Sequence, residues 1–432
     1  MTILDLTKYK MITNVENKGS KLILEINKNY FVEVEISYEE VEILDNGILK
    51  INAHPKRAEN LKMGILNLIS YKIANNLKSK ITNRRVIYIN EPIPLIGHTA
   101  FGLIDRGRNI IQVRGHCGCN MNCIFCSVDE GKYSKTRKND YYVDLDYLVK
   151  EYKKLAEFKG NYKLESHLDG QGEPSLYYPL VDLVQELNDI NKDGIVTMQS
   201  NGVPLTYKLI DELEEVGLHR INLSINAIDE KMAKLLAGDR NYNIEKILDI
   251  AEYIKNSKIH LLVAPILLPN INDEEFKKVI DYTINLDLRI KQNVINPLTG
   301  KKDPILGCQL CEIYPLGRKP KKMKVWNYKK FYSLLESYEN EYKKKGIDVK
   351  LKLKPEDFGT HKRKKLPYVF KLGEKVLVDV VLDGRVKGEV LGVANNRIIQ
   401  IINCKNEDKL IGEKVRVRIL RNKDNIYVGE IC

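Results

Sequence analysis

The sequence predicts an α/β protein: a partial or full (β/α) barrel, preceded by a small N-terminal α+β domain and followed by a C-terminal all-β, OB-like barrel. Three observations carry that prediction. Between about 108 and 300, short β-branched segments alternate with amphipathic stretches of roughly 11–14 residues, the sequence form of repeated βα units on a parallel sheet. Before it, KLILEI and YFVEVEI alternate apolar and polar residues at the strand period. After about 371, strand-like alternation is punctuated by turn residues.

The elements follow in order. Residues 1–100 read as the α+β domain, with NLKMGILNLISYKIANNLKS as its amphipathic helix. Residues 101–310 read as the barrel. IIQVRG, KLESHLD, GIVTMQSNG, HRINLSINA and HLLVAPILLP are its strands, and loops after the strands would carry a site. Residues 311–370 read as a basic helical linker. It has five basic residues from Arg318 to Lys324 and four in a row at 362–365. Residues 371–432 read as about five short strands, with turns at Asp383-Gly384, Asn395-Asn396 and Lys423-Asp424-Asn425.

Composition narrows the class. The 432 residues are 43% hydrophobic and 30% charged, as in ordinary soluble globular chains. No apolar run approaches the roughly 20 residues needed to span a bilayer, and the N-terminus has no apolar signal core. A cytoplasmic location is the expectation. The net charge of +12, with 70 basic residues, favours a polyanionic partner such as nucleic acid. Eight cysteines in a chain of this size do not form a disulfide framework, and their clustering suggests metal.

The most informative stretch is HCGCNMNCIFCSVDEG, in which Cys119, Cys123 and Cys126 are spaced C-x3-C-x2-C. Close thiolates suit an iron–sulfur cluster. Zinc is the competing reading, but structural zinc sites take four protein ligands. With Phe125 just before the last cysteine, this loop resembles that of the radical S-adenosylmethionine (SAM) superfamily. The resemblance implies a [4Fe–4S] cluster held by Cys119, Cys123 and Cys126, with SAM on the open iron and Phe125 near its adenine. Simple core packing is the alternative for Phe125.

About 45 residues on, Gly170-Gln171-Gly172-Glu173-Pro174 follows a strand and resembles the SAM-binding GGEP segment of that superfamily, with an inserted Gln171. It implies SAM contacts from Gly172 and Glu173. Ser200 and Asn201, then Ser224 and Asn226, close the next strands and are expected near the SAM ribose and carboxylate, with strand-end turns as the alternative. No catalytic side chain is assigned. Cys308 and Cys311, with Cys117, form a candidate second metal site, against which stands the ordinary burial of free cysteines.

The last 62 residues resemble the TRAM domain, an RNA-binding barrel of tRNA-modifying enzymes, through Gly373-Glu374-Lys375-Val376 and Gly412-Glu413-Lys414-Val415. Together the two resemblances imply a radical SAM enzyme that modifies tRNA or other RNA, with the distal barrel as a separate RNA-holding module. A one-electron donor such as ferredoxin or flavodoxin is the implied partner. The alternatives are modification of a protein, lipid or coenzyme, and a non-catalytic iron–sulfur RNA-binding protein. Residues 1–116 lack the extra cluster cysteines of the methylthiotransferases, which share the domain order, so sulfur insertion is not expected.

Overall fold

A computed structural model describes residues 2–432. Its centre is a sheet ordered His260–Val263, Leu218–Leu223, Ile195–Ser200, Glu165–Leu168, Ile110–Arg114 and Gly102–Asp105. All neighbours are parallel except the last pair. A sixth parallel segment continues the curve: Leu306 bridges Val263, and Gln309–Leu310 pairs with Ile266–Leu267. The sheet does not close, so this is the partial form of the expected barrel.

The crossover helices form where the sequence caps them. Asp144, Thr206, Asp229 and Asn243 each accept a hydrogen bond from a first-turn N–H of the helix that follows. Apolar positions at helical spacing, such as Leu183, Val184 and Leu187 of Leu180–Ile190, turn inward against the sheet.

The N-terminal unit is built less simply than a domain spanning 1–100. Its larger sheet runs Ile12–Lys18, Lys21–Ile26, Tyr30–Glu35, Lys78–Ser79, Arg85–Ile89 and then Asn139–Val143. The last strand comes from within the barrel's own sequence and pairs in parallel with Arg85–Ile89. All five of its residues are buried, so the alternation that marks a half-exposed strand is missing. One hydrophobic cluster therefore runs from Leu4 through the barrel helices.

Residues 311–370 are not a linker. Helix Tyr328–Lys344 buries Phe331, Leu335 and Tyr342. Phe331 packs on Phe276 of helix Asp273–Arg289, and Tyr342 donates to Asp281 at 2.6 Å. Farther on, the strap around His361 and Arg363 bonds to the backbone of Asn109 and Gly107. The basic runs that suggested a free segment are themselves tied down: Lys324 N–H donates to Pro269 O at 3.0 Å, and Lys365 pairs with Asp424 at 3.0 Å.

The C-terminal segment forms a closed five-stranded barrel of Lys375–Asp383, Val390–Ala394, Arg397–Ile402, Val428–Ile431 and Lys414–Arg421. Asn395 and Asn396 both take positive φ, as a two-residue hairpin turn requires. Its core centres on Phe370, Val378, Ile399, Ile401 and Tyr427. Expected as a separate module, it is instead docked. Ile398 N–H donates to Ile96 O at 2.9 Å, Tyr427 N–H to Gly97 O at 3.1 Å and Lys138 N–H to Arg385 O at 2.8 Å. Leu391 and Ile398 join the main hydrophobic cluster. Among the described residues, no helix is long and apolar enough to cross a membrane.

Candidate active site at the strand ends

Strand Ile110–Arg114 delivers the chain into the cysteine loop. At the carboxyl ends of the parallel strands lies a cavity of about 480 Å³. Cys119, Cys123 and Cys126 line it, as do Phe125, Gly172, Glu173, Ser200, Asn201, Ser224 and Asn226. Every residue named from sequence as a first-cluster ligand or SAM contact thus faces one space.

The cysteine loop is held from several sides. Asn122 and Ile124 donate their N–H groups to Ala237 and Leu236 at the end of helix Glu230–Ala237. That helix stops at Gly238, which is left-handed at φ 62° and lies so close that a Cβ would sit 2.1 Å from Asn122 O. Arg318 donates to Cys123 O at 3.0 Å and pairs with Asp129 at 2.7 Å. Asp129 in turn accepts from Ser134, Lys135 and Thr136.

The sulfurs sit among donors. Met121 N–H approaches Cys119 Sγ at 3.4 Å, and Glu130 N–H approaches Cys126 Sγ at 3.3 Å. Burial pushes the Cys119 thiol up and the Cys123 thiol up to about 12. Buried thiols of this kind ionise when a metal supplies the compensating charge. Among the described residues, no three His, Cys, Asp or Glu side chains converge as a single-ion site. Three half-buried thiols spread around one cavity, with amide donors to two of the sulfurs, fit a polynuclear cluster.

The second loop locks onto the first. Gly118 and Gly172 form a parallel bridge, and Glu173 N–H donates to Gly118 O at 2.9 Å. A Cβ on Gly172 would meet Gly118 O at 2.4 Å, so only glycine permits this approach. Glu173 is buried, and burial raises its carboxyl even though Ser175, Asn201 and Ser200 all donate to it. Ser200 Oγ reaches Oε1 at 2.8 Å and Asn201 N–H reaches Oε2 at 2.7 Å. Glu173 thereby ties the loops after two successive strands together, and Oε2 keeps capacity for one further donor.

Sequence reasoning missed the arginines around these loops. Arg385 comes from the C-terminal barrel and is 1% exposed. Its guanidinium donates to Glu130, to the Gln171 side chain and, at 2.7 Å, to Gln171 O. Glu130 also pairs with Arg84 at 2.9 Å and Arg137 at 3.2 Å. Arg114 grips Asp169 through two bonds of 3.0 Å. An arginine in a turn reads as solvated from sequence. The one local signal for Arg385 was the adjacent Gly384, where a Cβ would meet Glu389 O at 2.2 Å.

Cys117, Cys308 and Cys311 are not brought together. Cys117 lies behind the loop, where its Sγ accepts from Tyr141 N–H at 3.1 Å and burial pushes the thiol up to about 12. Cys311 lines the main cavity, whereas Cys308 lines a second one. The intervening strand Gln309–Leu310 separates them, since residues three apart on extended chain point to opposite faces. The expected second metal site is corrected accordingly.

That second cavity, about 320 Å³, is the polar lumen of the partial barrel. It shares His167, Gln199, Ala264 and Gln309 with the first. Glu165 lines it with one oxygen bonded to Arg220 and Thr197, both at 2.7 Å, and the other, Oε2, buried without a partner.

Residues 114–283 match the family model of the radical SAM superfamily. Over the full length of both chains, the protein is 76% identical to "Uncharacterized protein MJ0103" of Methanocaldococcus jannaschii. It is 31% identical over 175 residues to the GTP 3',8-cyclase of Staphylococcus haemolyticus, a match covering 40% of this chain and 50% of the other. With the GTP 3',8-cyclase of Clostridium perfringens strain SM101 the identity is 28%, over 48% of this chain and 60% of that one. The chain thus spans only half to three fifths of these two curated relatives. Among solved structures, Streptococcus suis SuiB bound to S-adenosylmethionine superposes with a TM-score of 0.41 at 14% identity, over 70% of this chain and 57% of that one. Native anSMEcpe with bound AdoMet gives 0.43 at 17%, over 66% and 74%.

Proposed function

Because the chain belongs to the family of M. jannaschii MJ0103 and carries a radical SAM domain over residues 114–283, we propose that it cleaves SAM reductively to modify a nucleotide-containing substrate. The observation that carries this reading is the single cavity faced by the three spaced cysteines and the seven candidate SAM contacts. Cys119, Cys123 and Cys126 would hold a [4Fe–4S] cluster, which when bound supplies the one electron that breaks the C5′–S bond of SAM. The chain's own residues bind and orient. Glu173 fixes Ser200 and Asn201 at the rim, and the Gly118–Gly172 approach shapes the floor. Substrate enters the lumen beneath, where His167 and Gln199, which line both cavities, offer hydrogen-bonding groups to a base-sized fragment.

Two observations support a nucleotide. Two of the curated relatives that match part of the chain are named for a reaction of GTP, and the net charge of +12 suits a polyanion. RNA is the polymeric case, and the TRAM-like character of the C-terminal barrel belongs to the same proposal. The test is anaerobic reconstitution followed by chromatography of 5′-deoxyadenosine. Cleavage should require Cys119, and Cys119→Ser retaining it would sink the assignment. Deuterium passing into 5′-deoxyadenosine from labelled GTP, labelled tRNA or neither would then identify the substrate.

A further inference from the structure

The cysteine loop has a second face. Met121, Cys123 and Phe125 line the main cavity, whereas the alternating Asn122 and Ile124 line a separate groove of about 790 Å³ on the other side. The wall between the groove and the cysteine ligands is therefore one residue thick. Arg318 crosses it: the side chain lines the groove while donating to Cys123 O at 3.0 Å, and its backbone N–H donates to Cys126 O at 2.8 Å.

The groove has a marked chemistry. Tyr133, Leu235 and Leu316 line it while exposed at 67%, 52% and 44%, an unusual concentration of bare apolar surface. Around them stand Lys135, Lys319, Lys321 and Lys322, all exposed. Asp129, the sole carboxylate among the lining residues, is already neutralised by Arg318. None of the four lysines is ion-paired among the described residues.

We propose that this groove is the docking face for an acidic one-electron carrier protein. The inference rests on the radical SAM reading, which consumes one electron per SAM cleaved. The carrier would be oxidised by one electron, and a [4Fe–4S] cluster held by Cys119, Cys123 and Cys126 would take that electron up and supply it for breaking the C5′–S bond of SAM. Transient redox partners use small interfaces with a few apolar contacts, steered by opposite charge. The groove offers both, next to the cysteine ligands. A polyanionic substrate would also meet the lysines and could stack a base on Tyr133, but the exposed Leu235 and Leu316 suit a protein partner better, and a substrate must reach the lumen on the other side of the loop.

The test uses reconstituted full-length protein and two reductants, fully reduced flavodoxin (an acidic flavoprotein) and dithionite. The triple variant Lys319→Glu, Lys321→Glu, Lys322→Glu should form 5′-deoxyadenosine at least tenfold more slowly with sub-saturating flavodoxin at low salt. Its dithionite-driven rate should stay within twofold of the parent. Salt should slow the parent's flavodoxin-driven rate and leave the variant's nearly unchanged. The milder pair Lys321→Ala, Lys322→Ala should show the same selectivity at smaller amplitude, which guards against misfolding of the triple variant. An unchanged flavodoxin rate, or equal losses with both reductants in both variants, overturns the proposal. So does a loss of tRNA affinity by gel shift with electron delivery intact, which would assign the groove to a polyanion. If the parent forms no 5′-deoxyadenosine even with dithionite, it is the radical SAM reading that fails.

Discussion

Arg385→Gln removes the cation by which the C-terminal barrel reaches the active-site loops. The guanidinium is fully buried and joins Glu130, next to the cysteine loop, to Gln171 in the Gly170–Pro174 loop. Breaking a buried ion pair from one side costs roughly 3–5 kcal/mol because the remaining charge is stranded. Glu130 keeps Arg84 and Arg137, which places the expected loss at the lower end, about 3 kcal/mol. Against a total stability of ~5–15 kcal/mol that is a large fraction. Urea unfolding of the cluster-free protein, followed by circular dichroism, should show the midpoint falling. Calorimetry on reconstituted protein should show weaker SAM binding, because Gln171 precedes Gly172 directly. Arg385→Lys should restore part of the stability and little of the SAM affinity, since an ammonium group cannot fork to two loops. As a control, Arg418→Gln on the same barrel loses a half-exposed pair with Glu430 and should leave both readouts unchanged. A stability change below about 1 kcal/mol for Arg385→Gln, with SAM affinity intact, would refute the reasoning.

Three other outcomes are expected. Gly172→Ala should abolish SAM binding in calorimetry and leave little stable fold, because its Cβ would sit 2.4 Å from a backbone oxygen that cannot move aside; normal affinity would show the bridge to be dispensable. Removing residues 371–432 should cost SAM cleavage together with any RNA affinity, and a soluble truncation that still forms 5′-deoxyadenosine would contradict the docked arrangement. The third concerns pH. Burial holds the His260 ring down to about 4, whereas an unfolded histidine titrates near ~6.5. Below 6.5 the unfolded chain therefore takes up a proton that the folded ring refuses. His260's own contribution should be level above that pH and fall by about 3 kcal/mol between 6.5 and 4. Burial also holds the His98 and His116 rings down, so urea midpoints at pH 7, 6 and 5 should show a slope that His260→Gln makes shallower without removing; an unchanged slope would dismiss His260 as a contributor.

Much of this was legible in the chain because period and spacing survive without a structure. The βα alternation from 108 to 300 gives the parallel sheet, and C-x3-C-x2-C with Gly172-Glu173 gives residues that meet in one cavity. Asn139–Val143 was illegible for a physical reason. It is buried on both faces and pairs with a strand 54 residues earlier, so neither alternation nor proximity marks it. Helix Tyr328–Lys344 was legible as a helix and misread as part of a linker, since lysines on its outer face outnumber the three residues it buries. Cys308 and Cys311 looked like a ligand pair because C-x2-C brings sulfurs together on a turn, whereas here a strand carries them apart.

The hardest feature to read was the place of the C-terminal barrel, and the reason lies in charge. A sequence assigns Arg84, Arg137 and Arg385 to water by default. In the fold all three converge on Glu130, a residue four positions after Cys126. Glu130 is thus an anion that three separate parts of the chain must reach for the cysteine loop to take its shape: the N-terminal sheet through Arg84, the loop's own return through Arg137 and the C-terminal barrel through Arg385. Each cation alone would be costly to bury, and so would the carboxylate. Only their simultaneous presence makes the site affordable in electrostatic terms. It follows that the cavity is assembled when the whole chain is folded, and that the barrel acts first as part of the wall around the cysteine loop, whatever its outer face also binds.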